Sequence, residues 1–232
     1  MRLFVSLVLI LALSRTRADP SPNLESRPET EAEAGPETKP ETNPEPGSEE
    51  CRRLNTRMSL EDKSPVLGRF HFLLGFANHS LYRTILNMTS SVWVNVTETQ
   101  TGIALNQFNK MNGTCVRSAA NATINGDMVK VVMYNITSEF QFLTLSETSM
   151  VLDIKAFSPD VRDFAQKLHI DHTHFGPELR VRSFYLMSRR PDVSDKDLQL
   201  FRVHAYCEGF KEEPHYSHNK HEYCSEEESI VF

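Results

Sequence analysis

From Leu67 to Ala77 the chain reads LGRFHFLLGFA. Phe70, Phe72, Leu74 and Phe76 fall on one face, and Arg69, His71, Leu73 and Gly75 on the other. This period-two alternation predicts a strand half-buried against something apolar. Comparable segments follow. SSVWVNVTET places Val92, Val94 and Val96 on one side, and GIALNQF presents Ile103, Leu105 and Gln107. TCVRSAANATI runs into Asn125-Gly126-Asp127, where the Asn-Gly pair readily takes positive φ and closes a hairpin. MVKVVMYNITS, FQFLTLS, a Glu147-Thr148 turn and MVLDIKAF come next, and a longer excursion, SPDVRDFAQKLHIDHTHFGPE, precedes LRVRSFYLM. The series makes eight strands with short links. It predicts an all-β, up-and-down antiparallel barrel rather than a βαβ fold.

The strands give way to helical spacing. Ser194 with Asp197 three residues later forms an N-terminal cap, Leu198, Phe201 and Ala205 recur on one face, and Gly209 stands as a stop. An amphipathic helix packed on the barrel wall is expected.

The ends of the chain differ from this body. Arg2 precedes an apolar run from Leu3 to Leu13, too short to span a bilayer, and small residues follow. Residues 1–18 therefore read as a secretory signal peptide cut after Ala18, with Ser14 as the alternative. No later stretch predicts a transmembrane segment, so a secreted, extracellular protein is expected. Residues 19–50 repeat a Pro-Glu-Thr unit with ten acids against Arg27 and Lys39, and almost no large apolar residue. Such a segment cannot offset its ordering entropy by burial, so it is expected to be disordered, as a solvating extension or a passive spacer. Its net −8 exceeds the chain's total of −6, since residues 1–18 contribute +3 and residues 51–232 only −1. The domain itself, residues 51–224, is close to neutral and lacks the basic face that nucleic acid requires. Residues 225–232 form a short acidic C-terminal tail.

Two residue types add constraints. The four cysteines, Cys51, Cys115, Cys207 and Cys224, all follow the signal, and an even number in an oxidising compartment reads as two disulfides. Spacing alone leaves three connectivities open. Six Asn-x-Ser/Thr sequons begin at Asn78, Asn87, Asn95, Asn112, Asn121 and Asn135, which predicts dense N-glycosylation at exposed or turn positions.

Together, these features resemble the lipocalin family over most of residues 51–224. Gly68-Arg69-Phe70 stands where lipocalins carry Gly-x-Trp, and the chain's single Trp, Trp93, falls instead on the second strand. Eight strands, the final helix and the basic pair Arg189-Arg190 before it carry the likeness. The resemblance implies that a basic side chain there packs across the first strand's aromatic and closes the barrel base, a role Phe70 can serve. Within the family the chain is most similar to α1-acid glycoprotein and to fish lipocalins that bind tributyltin or saxitoxin and tetrodotoxin. That likeness implies pairing of Cys51 with Cys207 and of Cys115 with Cys224.

An eight-stranded barrel is wide enough for one small ligand. Alternation from Phe70 places Phe70, Phe72 and Leu74 inward. The resemblance extends the ligand-binding set to Val92, Val94, Leu105, Gln107, Asn109, Met111, Lys130, Ser183, Tyr185 and Met187, with Lys130 as an inward cation. The function implied is a carrier or scavenger of a small hydrophobic molecule such as a lipid, steroid, drug or toxin. The alternative is an acute-phase or immunomodulatory interaction protein acting through glycans and surface loops. His169, His172 and His174, and His215, His218 and His221, lie in a loop and a tail, where a weakly metal-binding surface is the most they suggest. No metal site or cofactor is expected. The chain carries no His-Glu-x-x-His, no Gly-x-Ser-x-Gly and no phosphate-cradling glycine loop, and paired cysteines leave no thiolate nucleophile. A non-enzymatic protein is expected.

Overall fold

The computed structural model describes residues 44–45, 47–171, 173 and 176–231. The expected signal peptide, most of the acidic segment, and His172 and His174 lie outside the described residues. Strands β1 (Gly68–Ala77), β2 (Thr89–Glu98), β3 (Gly102–Met111), β4 (Thr114–Asn125), β5 (Met128–Met133), β6 (Ile136–Thr144), β7 (Ser149–Ser158) and β8 (Leu179–Ser188) make the barrel. Each pairs antiparallel with its sequence neighbour, β1 pairs with β8, and the cylinder is closed. The order is that of an up-and-down barrel, as the alternation predicts.

The links set the detail. The expected strand MVKVVMYNITS is divided, MVKVVM forming β5 and ITS joining FQFLT in β6, because Tyr134 and Asn135 both adopt left-handed conformations (φ 52° and 62°) and reverse the chain. A tyrosine in that conformation gives no turn signal in the sequence. The β1–β2 link contains an unforeseen helix, α2 (Ser80–Asn87), whose first turn is capped by His79 accepting from the Leu81 N–H. The long excursion before β8 contains another, α3 (Arg162–Lys167). Two residues of the segment expected to be disordered, Glu49 and Glu50, form the first turn of α1 (Glu49–Leu54), capped by Ser48.

Helix α4 (Asp195–Cys207) begins where the cap predicts, with Ser194 Oγ accepting from the Asp197 N–H. The Asp197 carboxylate in turn accepts from Ser146 and Ser149, tying the helix to the β6–β7 turn. Phe201 and Ala205 are fully buried against Leu73, Leu74, Phe76 and Phe184 on the outer wall. Cys51–Cys207 joins α1 to α4, and Cys115–Cys224 joins β4 to the C-terminal segment, the pairing the resemblance implies. That segment contributes β9 (Tyr216–Ser217) against β1 and β10 (Ile230–Val231), parallel to β4, so the tail extends the sheet.

Candidate binding cavity

β1 does not keep one alternation throughout. A register shift between Phe72 and Leu74 marks a bulge. Before it, Phe70 and Phe72 face the inner core. After it, Leu74 and Phe76 join Leu73 in the outer cluster under α4. Leu74 therefore does not enter the barrel, a correction to the simple alternation. Gly75 takes an inward position, where a Cβ would stand 2.6 Å from the Tyr185 ring. Only glycine lets that ring lie against the strand.

Phe70 lies at the base. The Arg189 guanidinium sits 4.5 Å above its ring centre and donates to the carbonyls of Leu67 and Pro65 at 2.9 Å each. Gly68, at φ +95°, lets the chain enter the strand beneath that arginine. The base is thus plugged by a cation and an aromatic. Trp93 does a different job. It faces outward, stacks on Phe108 at 4.0 Å, carries Arg69 on its ring at 3.8 Å and donates to the Cys224 carbonyl.

Above Phe72 the barrel holds a cavity of about 320 Å³. This is at the lower end of the roughly 300–1,000 Å³ common for ligand pockets. Phe72, Val92, Val94, Leu105, Gln107, Asn109, Met111, Tyr185 and Met187 line it. Four other expected residues do not. Phe70 is in the floor, and Leu74 is outside. Ser183, opposite Ala77, is sealed in the wall beside Tyr185 and does not line the cavity. Lys130 points to solvent, 3.7 Å from Glu139 on the adjacent strand, which corrects its reading as an inward cation. An isolated ammonium inside would forfeit its hydration, whereas its outward position keeps both water and a carboxylate partner.

The opposite wall, from Val131 and Met133 through Phe140 and Phe142 to Leu152 and Ile154, was not picked out by sequence reasoning. The alternation of Phe140 and Phe142 in FQFLT is the signal that would have found it. At the mouth, Tyr82, Ile85 and Leu86 of α2 meet Phe164 and Leu168 beside α3. Tyr216 enters from an unexpected direction. β1–β2 pairing ends at Phe72 and Val92, and the chain at 215–219 fills the gap. His215 and His218 donate their backbone N–H groups to Gly75 and Leu73, and Asn219 donates to Ser90. The Tyr216 side chain thereby reaches the cavity and donates to the Phe72 carbonyl at 3.1 Å. Nothing in HYSHNKH signals that role.

Polar groups are few. Gln107 donates to the Asn109 carboxamide oxygen at 2.8 Å, and Ser118 pairs opposite Gln107. Burial pushes the Tyr185 phenol up to about 12 and raises Tyr82 further, so both are neutral at physiological pH. Two histidines of the C-terminal segment, His215 and His218, are structural, and His221 is exposed. His215 accepts from the Ala77 N–H, and the His218 ring nitrogens lie 3.1 and 2.8 Å from the Leu73 and Pro191 carbonyls.

A closed, eight-stranded up-and-down barrel with a helix on its wall and an apolar cavity defines the class of this protein. No family model and no curated protein matches the chain. Solved structures similar to it are lipocalins. They include the siderocalin Ex-FABP, at 12% identity and TM-score 0.46 over 67% of this chain and 89% of that one. A dog lipocalin allergen follows at 18% and 0.45 over 62% and 87%. The bovine lipocalin allergen Bos d 2 stands at 11% and 0.45 over 64% and 88%.

Proposed function

We propose that this is a secreted glycoprotein that carries or scavenges a small hydrophobic molecule in the barrel cavity. The observation that carries the reading is the cavity itself: about 320 Å³ walled by aliphatic and aromatic side chains, with a plugged base and a mouth edged by two helices. Burial of apolar ligand surface there dominates the affinity. A likeness to the α1-acid glycoprotein and toxin-binding branch of the lipocalins belongs to the same proposal.

Secretion is supported by the N-terminal apolar run and by engagement of all four cysteines in disulfides. Among the described residues no helix is long and apolar enough to cross a membrane. Glycosylation is supported by exposure: Asn78, Asn87, Asn112, Asn121 and Asn135 are exposed, and Asn95, outward on β2, is partly covered. With every thiol paired and no carboxylate or imidazole among the described lining residues, the cavity suits binding better than catalysis.

The test is saturable binding of a neutral fluorescent probe, Nile red, to the glycosylated protein, with mass spectrometry of molecules that co-purify from native fluid. One-to-one binding abolished by Leu105→Trp supports the carrier. Absence of binding to correctly folded protein rejects it.

A further inference from the structure

We infer that the cavity selects uncharged ligands carrying a hydroxyl or carbonyl group, and discriminates against carboxylates, ammonium and guanidinium ions of the same size. This inference rests on the carrier reading and narrows it to a ligand class.

The ionisable side chains among the described lining residues are tyrosines alone. No charged side chain among the described residues lines the interior; the nearest cation at the lining, the exposed Lys167, lies over the Tyr134 ring 4.6 Å from its centre. Lys130 and Glu139 pair in solvent, and Arg182 holds Asp153 at 2.8 Å and Glu208 at 2.7 Å on the outer wall. Burial works against the Arg182 cation, and its hydrogen bonds to the two carboxylates more than offset that, so it stays charged and engaged outside. Arg189 lies across Phe70 at the base with its donors on two backbone carbonyls. A charged ligand seated beside Gln107 and Asn109 would give up its water and meet no counter-ion among the described lining residues.

The polar groups that do reach the interior are neutral, and the densest group of them sits on β3 and β4, with Thr89 on β2 and Ser138 on β6 lining the cavity apart from it. Gln107 and Asn109 lie two residues apart on β3, linked by their carboxamides, and Ser118 stands opposite Gln107 on β4. Carboxamides and a hydroxyl present both donors and acceptors. They match a ligand hydroxyl, ketone, ester or amide. Phe140 and Phe142 on β6 offer only apolar surface to the rest of the molecule. The buried phenols do not become anions at physiological pH, so a ligand cation finds no phenolate either.

The experiment is competition against Nile red at about pH 7.4 by three molecules of one chain length: decan-1-ol, decanoate and decylammonium, each below its micellar limit. The expected result is displacement by the alcohol at a concentration at least tenfold lower than by either ion. The acid can still enter in its protonated form, which caps discrimination against it near a thousandfold for a carboxyl of pKa about 4.3. Decanoate is therefore expected to gain affinity as the pH is lowered to 5 while decan-1-ol does not. Gln107→Lys, in a half-buried position, is expected to reverse the order in favour of decanoate, with far-UV circular dichroism confirming the fold. Either ion competing as well as the alcohol in the wild-type protein overturns the inference while leaving the carrier reading in place. Nile red failing to bind the folded protein overturns both.

Discussion

The two faces of β1 carry similar side chains to different ends. Inside, Phe70 and Phe72 look toward a barrel in which the space above the floor stays open. Outside, Leu73, Leu74 and Phe76 are sealed by Phe184, Phe201 and Ala205, with Phe184 and Phe201 stacked at 5.6 Å. The outer face has a helix laid on it, held by a disulfide, a cap and the Arg182–Asp153–Glu208 cluster. The inner face meets only the curved far wall, and a cylinder of eight strands leaves room that its own side chains do not fill. Aromatic content therefore does not tell a core from a binding site; what packs against it does.

The largest effect is expected on the outer face. Phe201→Ala removes a fully buried ring from a dense cluster and should cost about 3–5 kcal/mol of unfolding free energy in urea titrations. Nile red affinity measured on the fraction still folded should stay unchanged. If affinity falls with stability, the two faces are not independent.

Acid should act on the outer face as well. His204 and His71 lie outside the cavity, and burial drives both down to about 4 from 6.5. The Arg69 and His218 charges add to the shift at His71. At His204 the nearby Glu208 and Asp153 oppose it. Because the folded pKa lies below the unfolded one, the unfolded chain binds more protons between these values. Stability is full above about pH 6.5 and falls on acidification toward pH 4. The slope should approach about 1.4 kcal/mol per pH unit for each histidine. His204→Phe should flatten that dependence, since neither ring nitrogen has a hydrogen-bond partner to lose. An unchanged profile would contradict the assignment.

The Cys115–Cys224 bridge connects the faces, because it anchors the segment that feeds Tyr216 into the cavity. Cys115→Ser with Cys224→Ser should cost about 2–4 kcal/mol. It should also weaken probe binding, whereas Phe201→Ala should not. Loss of stability with full probe affinity would show that β9 holds its place without the bridge.

The smallest stability change is expected inside. Leu105→Trp adds volume where room exists, so it should alter stability by about 1 kcal/mol or less while eliminating probe binding. A loss comparable with that of Phe201→Ala would mean that the interior is packed as tightly as the outer cluster.

Local order along the chain was enough to determine the strands, the capped helix and hence the barrel. Alternation and caps are neighbour-to-neighbour effects, and an up-and-down sheet pairs mostly sequential segments. Much of one cavity wall follows from the same alternation, as at Val92, Val94, Leu105, Gln107 and Asn109. Leu74 and Lys130 escaped it for physical reasons. A bulge inserts one residue and exchanges the faces beyond it, and the side on which a cation lies depends on partners such as Glu139 across the sheet. Tyr134 turned the chain without a glycine, and Tyr216 came to the cavity from beyond α4 through a gap that β2 leaves beside β1. Those placements depend on contacts between residues far apart in sequence, which local pattern does not encode. The barrel could be read from the chain; the contents of its interior were decided when the wall closed.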